Sequence, residues 1–286
     1  MQSVRECLSL GRLLSTYYLS KMITLPKGER FRINDDTSIR CLSNPEKSTG
    51  TLFILQGGTL HMNCNTYYVR TACMFVPKDV RIFIFEKSKP VVNPEFAHDV
   101  EEAIEFIKAR HPEPLAVVGY SMGGILLWSY LALGYHSADF YVPTCCPLDF
   151  KRFREVLENN AVFRMIQTRE YKKHKASGYE DLLKMSGTTM NDHDRFTEDF
   201  PQRLSRTVDN WREKTVYVIS SDDPATSIED LKLMSKPPHT YLVQGGWHCC
   251  LDSTFLSITL ACNALRAHQT NPNSMQSVQP LLEKFR

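Results

Sequence analysis

From residue 50 onward the chain alternates two kinds of hydrophobic pattern. Uninterrupted apolar runs at Leu52-Phe53-Ile54-Leu55 and Ile82-Phe83-Ile84-Phe85 read as strands covered on both faces. Beyond them Val100, Ala103, Ile104 and Ile107 fall at i, i+3, i+4 and i+7, the apolar stripe of a helix that ends near His111-Pro112. Its first turn holds Asp99, Glu101 and Glu102 and its end Lys108 and Arg110, as the helix dipole favours. A strand at Leu115-Ala116-Val117-Val118, a helix at Ile125 to Leu131 and a strand at Asp139 to Val142 follow. The pattern resumes with strands at Thr215 to Ile219 and His239 to Val243, a helix near Ile228 to Met234 between them, and a closing helix from about Ser253 to Ala267. Such alternation predicts an α/β fold: a mostly parallel central sheet with helices on both faces. The stretch from about Asp149 to Trp211 has no clear β character and reads as an inserted helical lid.

At the amino end, Leu8, Leu10, Leu13, Leu14, Tyr17 and Tyr18 make a broad apolar helical face, expected to pack on the domain. Arg5, Glu6, Arg12 and Lys21 leave only residues 13 to 20 uncharged, too short a run to span a bilayer. The expected division is therefore a helical extension over 1–29, one α/β domain over 30–268 with its lid at about 149–211, and a polar tail over 269–286. A chain of 286 residues, 42% hydrophobic, can bury one substantial core without a second domain.

Composition removes several functional classes. Thirty-four Lys and Arg against 32 Asp and Glu give a weak overall field, which argues against nucleic acid as the main partner. The nine cysteines form no C-x-x-C, so a zinc cage is not expected, and reduced thiols with Cys73, Cys145 and Cys262 in the core are. No Asn-x-Ser/Thr acceptor occurs, which fits a cytoplasmic protein.

The candidate chemistry starts at Gly119-Tyr120-Ser121-Met122-Gly123-Gly124, between an apolar run and a helical one. A serine on a sharp strand-to-helix turn exposes its hydroxyl and aims the first helical N–H groups at the reacting oxygen. Such a hydroxyl is almost un-ionised at neutral pH, so acyl transfer requires a histidine base and an acid that orients it. Asp222-Asp223-Pro224 follows a strand. Asp223 is the favoured acid, since Pro224 fixes the turn, with Asp222 as the alternative. Gly245-Gly246-Trp247-His248 follows the next strand, which makes His248 the base, with His239 in reserve and His61 a candidate pocket residue. An oxyanion hole needs two N–H donors. Met122, directly after the serine, supplies one, and Gly58 in Gln56-Gly57-Gly58 supplies the other.

With these residues in place the chain, from about residue 30 to 268, resembles the α/β-hydrolases, and within them the abhydrolase-domain lipases and YheT-like esterases. The likeness rests on Gln56-Gly57-Gly58-Thr59 and Tyr68-Val69-Arg70, where that family has His-Gly-x-Thr and a later Tyr-x-Arg. It continues through the serine elbow, Asp222-Asp223-Pro224 and the glycine pair before His248. The resemblance implies hydrolysis of acyl-lipid esters by a catalytic triad, with no cofactor and no metal. Three departures stand out: Gln56 replaces the family's histidine, Trp247 separates the glycines from His248, and the membrane-spanning amino end of many animal relatives is missing. The last of these predicts a soluble or peripheral enzyme.

Residues 151 to 175 hold eight Lys or Arg against three acids, interleaved with Phe153, Val156, Leu157, Val162, Phe163, Met165 and Ile166. At about 1 kcal/mol per basic residue near an anionic bilayer, this lid could dock peripherally on such a membrane, or it could simply cover the pocket. The leading expectation is a serine hydrolase that cleaves carboxylic esters of apolar acyl chains through an acyl-enzyme. A thioesterase or acyltransferase would share the triad, and a silent hydrolase fold used as a binding module is the reading from a different class.

Overall fold

The computed structural model describes residues 24–57, 67–89, 96–246, 248–249 and 251–270. The expected amino-terminal helix face, Gly58, Thr59, His61, Trp247 and nearly all of the polar tail lie outside them.

Eight strands join in one sheet among the described residues, in the order β1-β2-β4-β3-β5-β6-β7-β8. They are β1 (Glu29–Arg32), β2 (Thr37–Ser43), β3 (Gly50–Leu55), β4 (Val80–Lys87), β5 (Leu115–Tyr120), β6 (Phe140–Thr144), β7 (Val216–Ser220) and β8 (His239–Val243). From β4 to β8 every neighbouring pair is parallel, while β1 and β2 run antiparallel at one edge. The alternation begins at residue 50 and so contains no signal for these two strands, which precede it. In β2, polar Thr37, Ser38 and Arg40 interrupt the apolar positions, and partners on β4 satisfy them: Arg40 Nε lies 3.0 Å from Glu86 Oε1.

Two apolar layers cover the sheet. Phe53, Leu55, Leu115 and Val117 face one side, where α2 (Ala97–Arg110), α3 (Met122–Ala132) and α8 (Phe200–Trp211) pack. Leu52, Ile54, Ala116 and Val118 face the other, against α1 (Tyr67–Phe75) and α9 (Leu251–Thr270). This is the period-two alternation of strands buried on both faces, and each such Leu, Ile or Phe contributes about 1.5–3 kcal/mol by leaving water. Helix α3 is apolar all round and is correspondingly enclosed, with Trp128 at 5.6 Å from Trp211 of α8 in an edge-on ring contact.

Between β6 and β7 run α4 (Phe150–Asn159), α5 (Ala161–His174), α6 (Tyr179–Met185), α7 (Met190–Glu198) and α8. Asp149 caps α4 by accepting the Arg152 N–H. Helix α8 carries Phe200, Leu204, Val208 and Trp211 on one stripe and belongs to the main core, so the end of the stretch read as a lid is part of the body. The segment near Ile228 is a 3₁₀ turn, Ile228–Leu233, rather than an α-helix. It has six residues, too few for a stable α-helix of its own, and a Ser227–Asp230 capping box holds it. Helix α9 runs to Thr270, into the segment expected as tail.

β3 and β5 are neighbours, yet the chain leaves β3 for β4 on one side and reaches β6 from β5 on the other. The loops after β3 and β5 therefore part at their carboxyl ends, the crevice where open parallel sheets place their sites.

Candidate active site

Ser121 sits in that crevice, between β5 and α3, with φ 51° and ψ −115°. A left-handed φ on a residue with a side chain costs of order 1–3 kcal/mol and persists only where its surroundings impose it. Here they do. The Ser121 N–H donates to Thr144 O on β6 at 3.0 Å, and its carbonyl accepts the Ile125 N–H at 2.9 Å. A Cβ on Gly123 would stand 2.1 Å from Leu55 O, and one on Gly57 2.2 Å from Tyr120 O, so the turn and the loop after β3 interlock only through glycine.

The structure brings together three of the residues singled out from the sequence. Ser121 Oγ lies 2.7 Å from His248 Nε2, and His248 Nδ1 lies 2.8 Å from Asp223 Oδ2. With Nδ1–H donating to the carboxylate, Nε2 is left as the acceptor for the serine proton. Asp223 and His248 are both buried. Asp223 Oδ2 also accepts from Thr226 Oγ1 at 2.9 Å, and Oδ1 from the Ala225 N–H at 2.8 Å, so no arginine or lysine is needed to hold it.

The other candidates fall elsewhere. Asp222, half-buried, accepts from Ser221 Oγ at 3.0 Å, and it is Asp223 that meets His248 Nδ1. His239 opens β8 at the opposite end of the sheet, 3.4 Å from Glu213. Met122 is the first residue of α3, where helical N–H groups have no carbonyl four residues back. Gly58, the second expected oxyanion donor, lies outside the described residues.

Two loops carry the acid and the base, and backbone hydrogen bonds lace them. The Ser221 N–H reaches Val243 O at 2.9 Å, the Asp222 N–H reaches Gly246 O at 3.2 Å, and the Gly245 N–H reaches Ser221 Oγ at 2.8 Å. Next in the chain after His248, the Cys249 thiol points to Thr144 O at 3.8 Å, a weak contact to the carbonyl that also holds the serine N–H. Thr226, Ser221 and Thr144 have no motif of their own; only their nearness to candidate residues could have drawn notice.

Electrostatics favour proton acceptance. Burial alone would lower the His248 pKa, but the charge of Asp223 and its hydrogen bond outweigh this, and the imidazole ends above its ordinary value. Phe163 of α5 stands edge-on to the ring, with centroids 5.3 Å apart and planes at 71°. Among the described residues, no group of three or more His, Cys, Asp and Glu is disposed to hold a metal ion, and no helix is long and apolar enough to cross a membrane.

No family model matches the sequence, and no curated protein does. Solved structures do match. A soluble variant of monoglyceride lipase from Saccharomyces cerevisiae, solved with a substrate analog, aligns with a TM-score of 0.54 and 15% identity over 86% of this chain and 95% of that one. The esterase domain of a Rhodothermus marinus protein gives 0.54 and 16% over 84% and 98%. Proline iminopeptidase from Mycobacterium smegmatis gives 0.51 and 13% over 85% and 99%. At such identities the likeness is one of fold.

Proposed function

We propose that this chain, which has the α/β-hydrolase fold, is a serine hydrolase of carboxylic esters with apolar acyl groups. The observation that carries the reading is the hydrogen-bonded chain Ser121–His248–Asp223 at a left-handed elbow. Ser121 Oγ attacks the ester carbonyl while His248 Nε2 takes its proton. Asp223 holds the ring in the required tautomer and stabilises the imidazolium. The oxyanion is received by the Met122 N–H at the amino end of α3, where the helix dipole adds positive charge, and by Gly58 as second donor. His248 then gives its proton to the departing alcohol. Water, activated by the same ring, cleaves the acyl-enzyme.

Two departures from the resembling family bear on this reading. Gln56 is buried and donates from Nε2 to Phe85 O at 3.4 Å, which ties the start of the oxyanion loop to β4. The extra residue before His248 has not cost the base its reach, since Nε2 stands within hydrogen-bond distance of the serine. The second observation favours a working site over a silent fold. Covalent labelling by a fluorophosphonate, abolished in Ser121→Ala and weakened in His248→Ala, is the expected result. Folded wild-type protein that takes no label would overturn the reading. Parallel turnover of an ester and its thioester then separates esterase from thioesterase.

A further inference from the structure

Three parts of the His248 ring face different neighbours. Nε2 faces Ser121, Nδ1 faces Asp223, and the body of the ring meets Phe163. Phe163 is buried and belongs to a small apolar cluster distinct from the two cores of the sheet. Ala225 of the acid loop completes it, with Phe153, Val156 and Leu157 of α4 packed against the pair. The polar groups of Ala225 are already committed: its N–H donates to Asp223 Oδ1 at 2.8 Å, and its carbonyl accepts from Arg152 at 3.3 Å.

Reaction chemistry decides which half of an ester meets this cluster. On acylation the Oγ–carbon bond forms and the bond from carbon to the alcohol oxygen breaks. The electron pair leaves with that oxygen, and Nε2 delivers to it the proton taken from Ser121. The alcohol oxygen must therefore come within hydrogen-bond reach of Nε2. Its substituent then lies beside the imidazole, whereas the carbonyl oxygen points to the amino end of α3.

We propose that Phe163 walls a leaving-group subsite that takes an apolar alcohol, aryl or alkyl, and disfavours a polyol. The inference rests on the ester-hydrolase reading and refines it. Hydroxyl groups pressed against Phe163, Phe153, Val156 and Leu157 would lose water without gaining partners, and a buried polar group left unpaired is strongly disfavoured. Deacylation runs back through the same geometry, so an apolar alcohol competes with water for the acyl-enzyme there.

The test uses the full chain and two ester series. One keeps the acyl group as butyrate and varies the alcohol among benzyl, hexyl and glyceryl. The other keeps p-nitrophenol and varies the acyl group among acetate, butyrate and octanoate. Wild type should prefer benzyl and hexyl over glyceryl butyrate in kcat/KM by about tenfold or more. Phe163→Ala should erase most of that preference, and Phe163→Leu, which keeps apolar bulk, should retain it. The order along the acyl series should stay unchanged in both variants. Equal use of glyceryl and benzyl butyrate by wild type would overturn the subsite, as would a Phe163→Ala effect confined to the acyl series. Fluorophosphonate labelling of the same preparation tells the two failures apart: labelled enzyme without alcohol preference sinks the subsite alone, and unlabelled folded protein sinks the parent reading with it.

Discussion

At the scale of single residues, the charge beside His248 sets the pH response. The base works only when neutral. Because Asp223 holds its pKa above the ordinary value of about 6.5, the acid limb of kcat/KM should lie above that value, with activity falling as pH drops through it. Asp223→Asn removes the charge, so the limb should move down while kcat falls by roughly ten-thousandfold as the tautomer is lost. A pH–rate profile of both proteins checks the direction. Asp222→Asn, in contrast, alters a side chain turned to Ser221 and should leave the limb where it is. The expectation of Asp223 over Asp222 rested on Pro224, which fixes the turn, and it is Asp223 that stands 2.8 Å from His248 Nδ1. Phe163 was legible only as one apolar residue among several in a basic stretch, since its contact with His248 joins positions 85 apart in sequence and leaves no local pattern.

At the scale of elements, the elbow depends on atoms that are missing. Gly123→Ala puts a methyl 2.1 Å from Leu55 O, a backbone atom that cannot swing aside. Overpacking of this kind costs typically 1–3 kcal/mol, and here it also pushes the serine off its line, so both the midpoint of thermal unfolding and the labelling rate should fall. The strands β3 to β7 were readable because burial on both faces leaves continuous apolar runs, whereas helix α1, which packs Val69 and Ala72 on the sheet, was not read. The antiparallel strands β1 and β2 were not readable, because their polar residues are satisfied across the sheet by partners that no window of sequence contains. The segment at Ile228 has the composition of a helix, but with six residues its form follows from its cap rather than from propensity.

At the scale of the molecule, the contacts that α4 and α5 make with the body near the triad include Phe163 on His248, Arg152 on Ala225 O at 3.3 Å and Arg152 on Asp230 at 2.6 Å. Asp230 is buried while Arg152 is partly exposed, so part of their attraction is screened by solvent. Arg152→Met should still leave a buried carboxylate short of its partner and loosen the helix pair. Hydrogen exchange over residues 150–174 should quicken in this variant while the central strands keep their protection. A rate unchanged across that segment would show the ion pair to be idle.

The torsion at residue 121 inverts a familiar ranking. In ordinary backbone, glycine is the less stable choice than alanine by about 0.5–1 kcal/mol, because it surrenders more freedom on folding. At φ 51° the alanine inherits the serine's discomfort and the glycine escapes it. Of the two inactive proteins Ser121→Gly and Ser121→Ala, the glycine form should therefore melt later, and the gap between their melting curves measures, without any substrate, how much tension the fold keeps in place for its nucleophile.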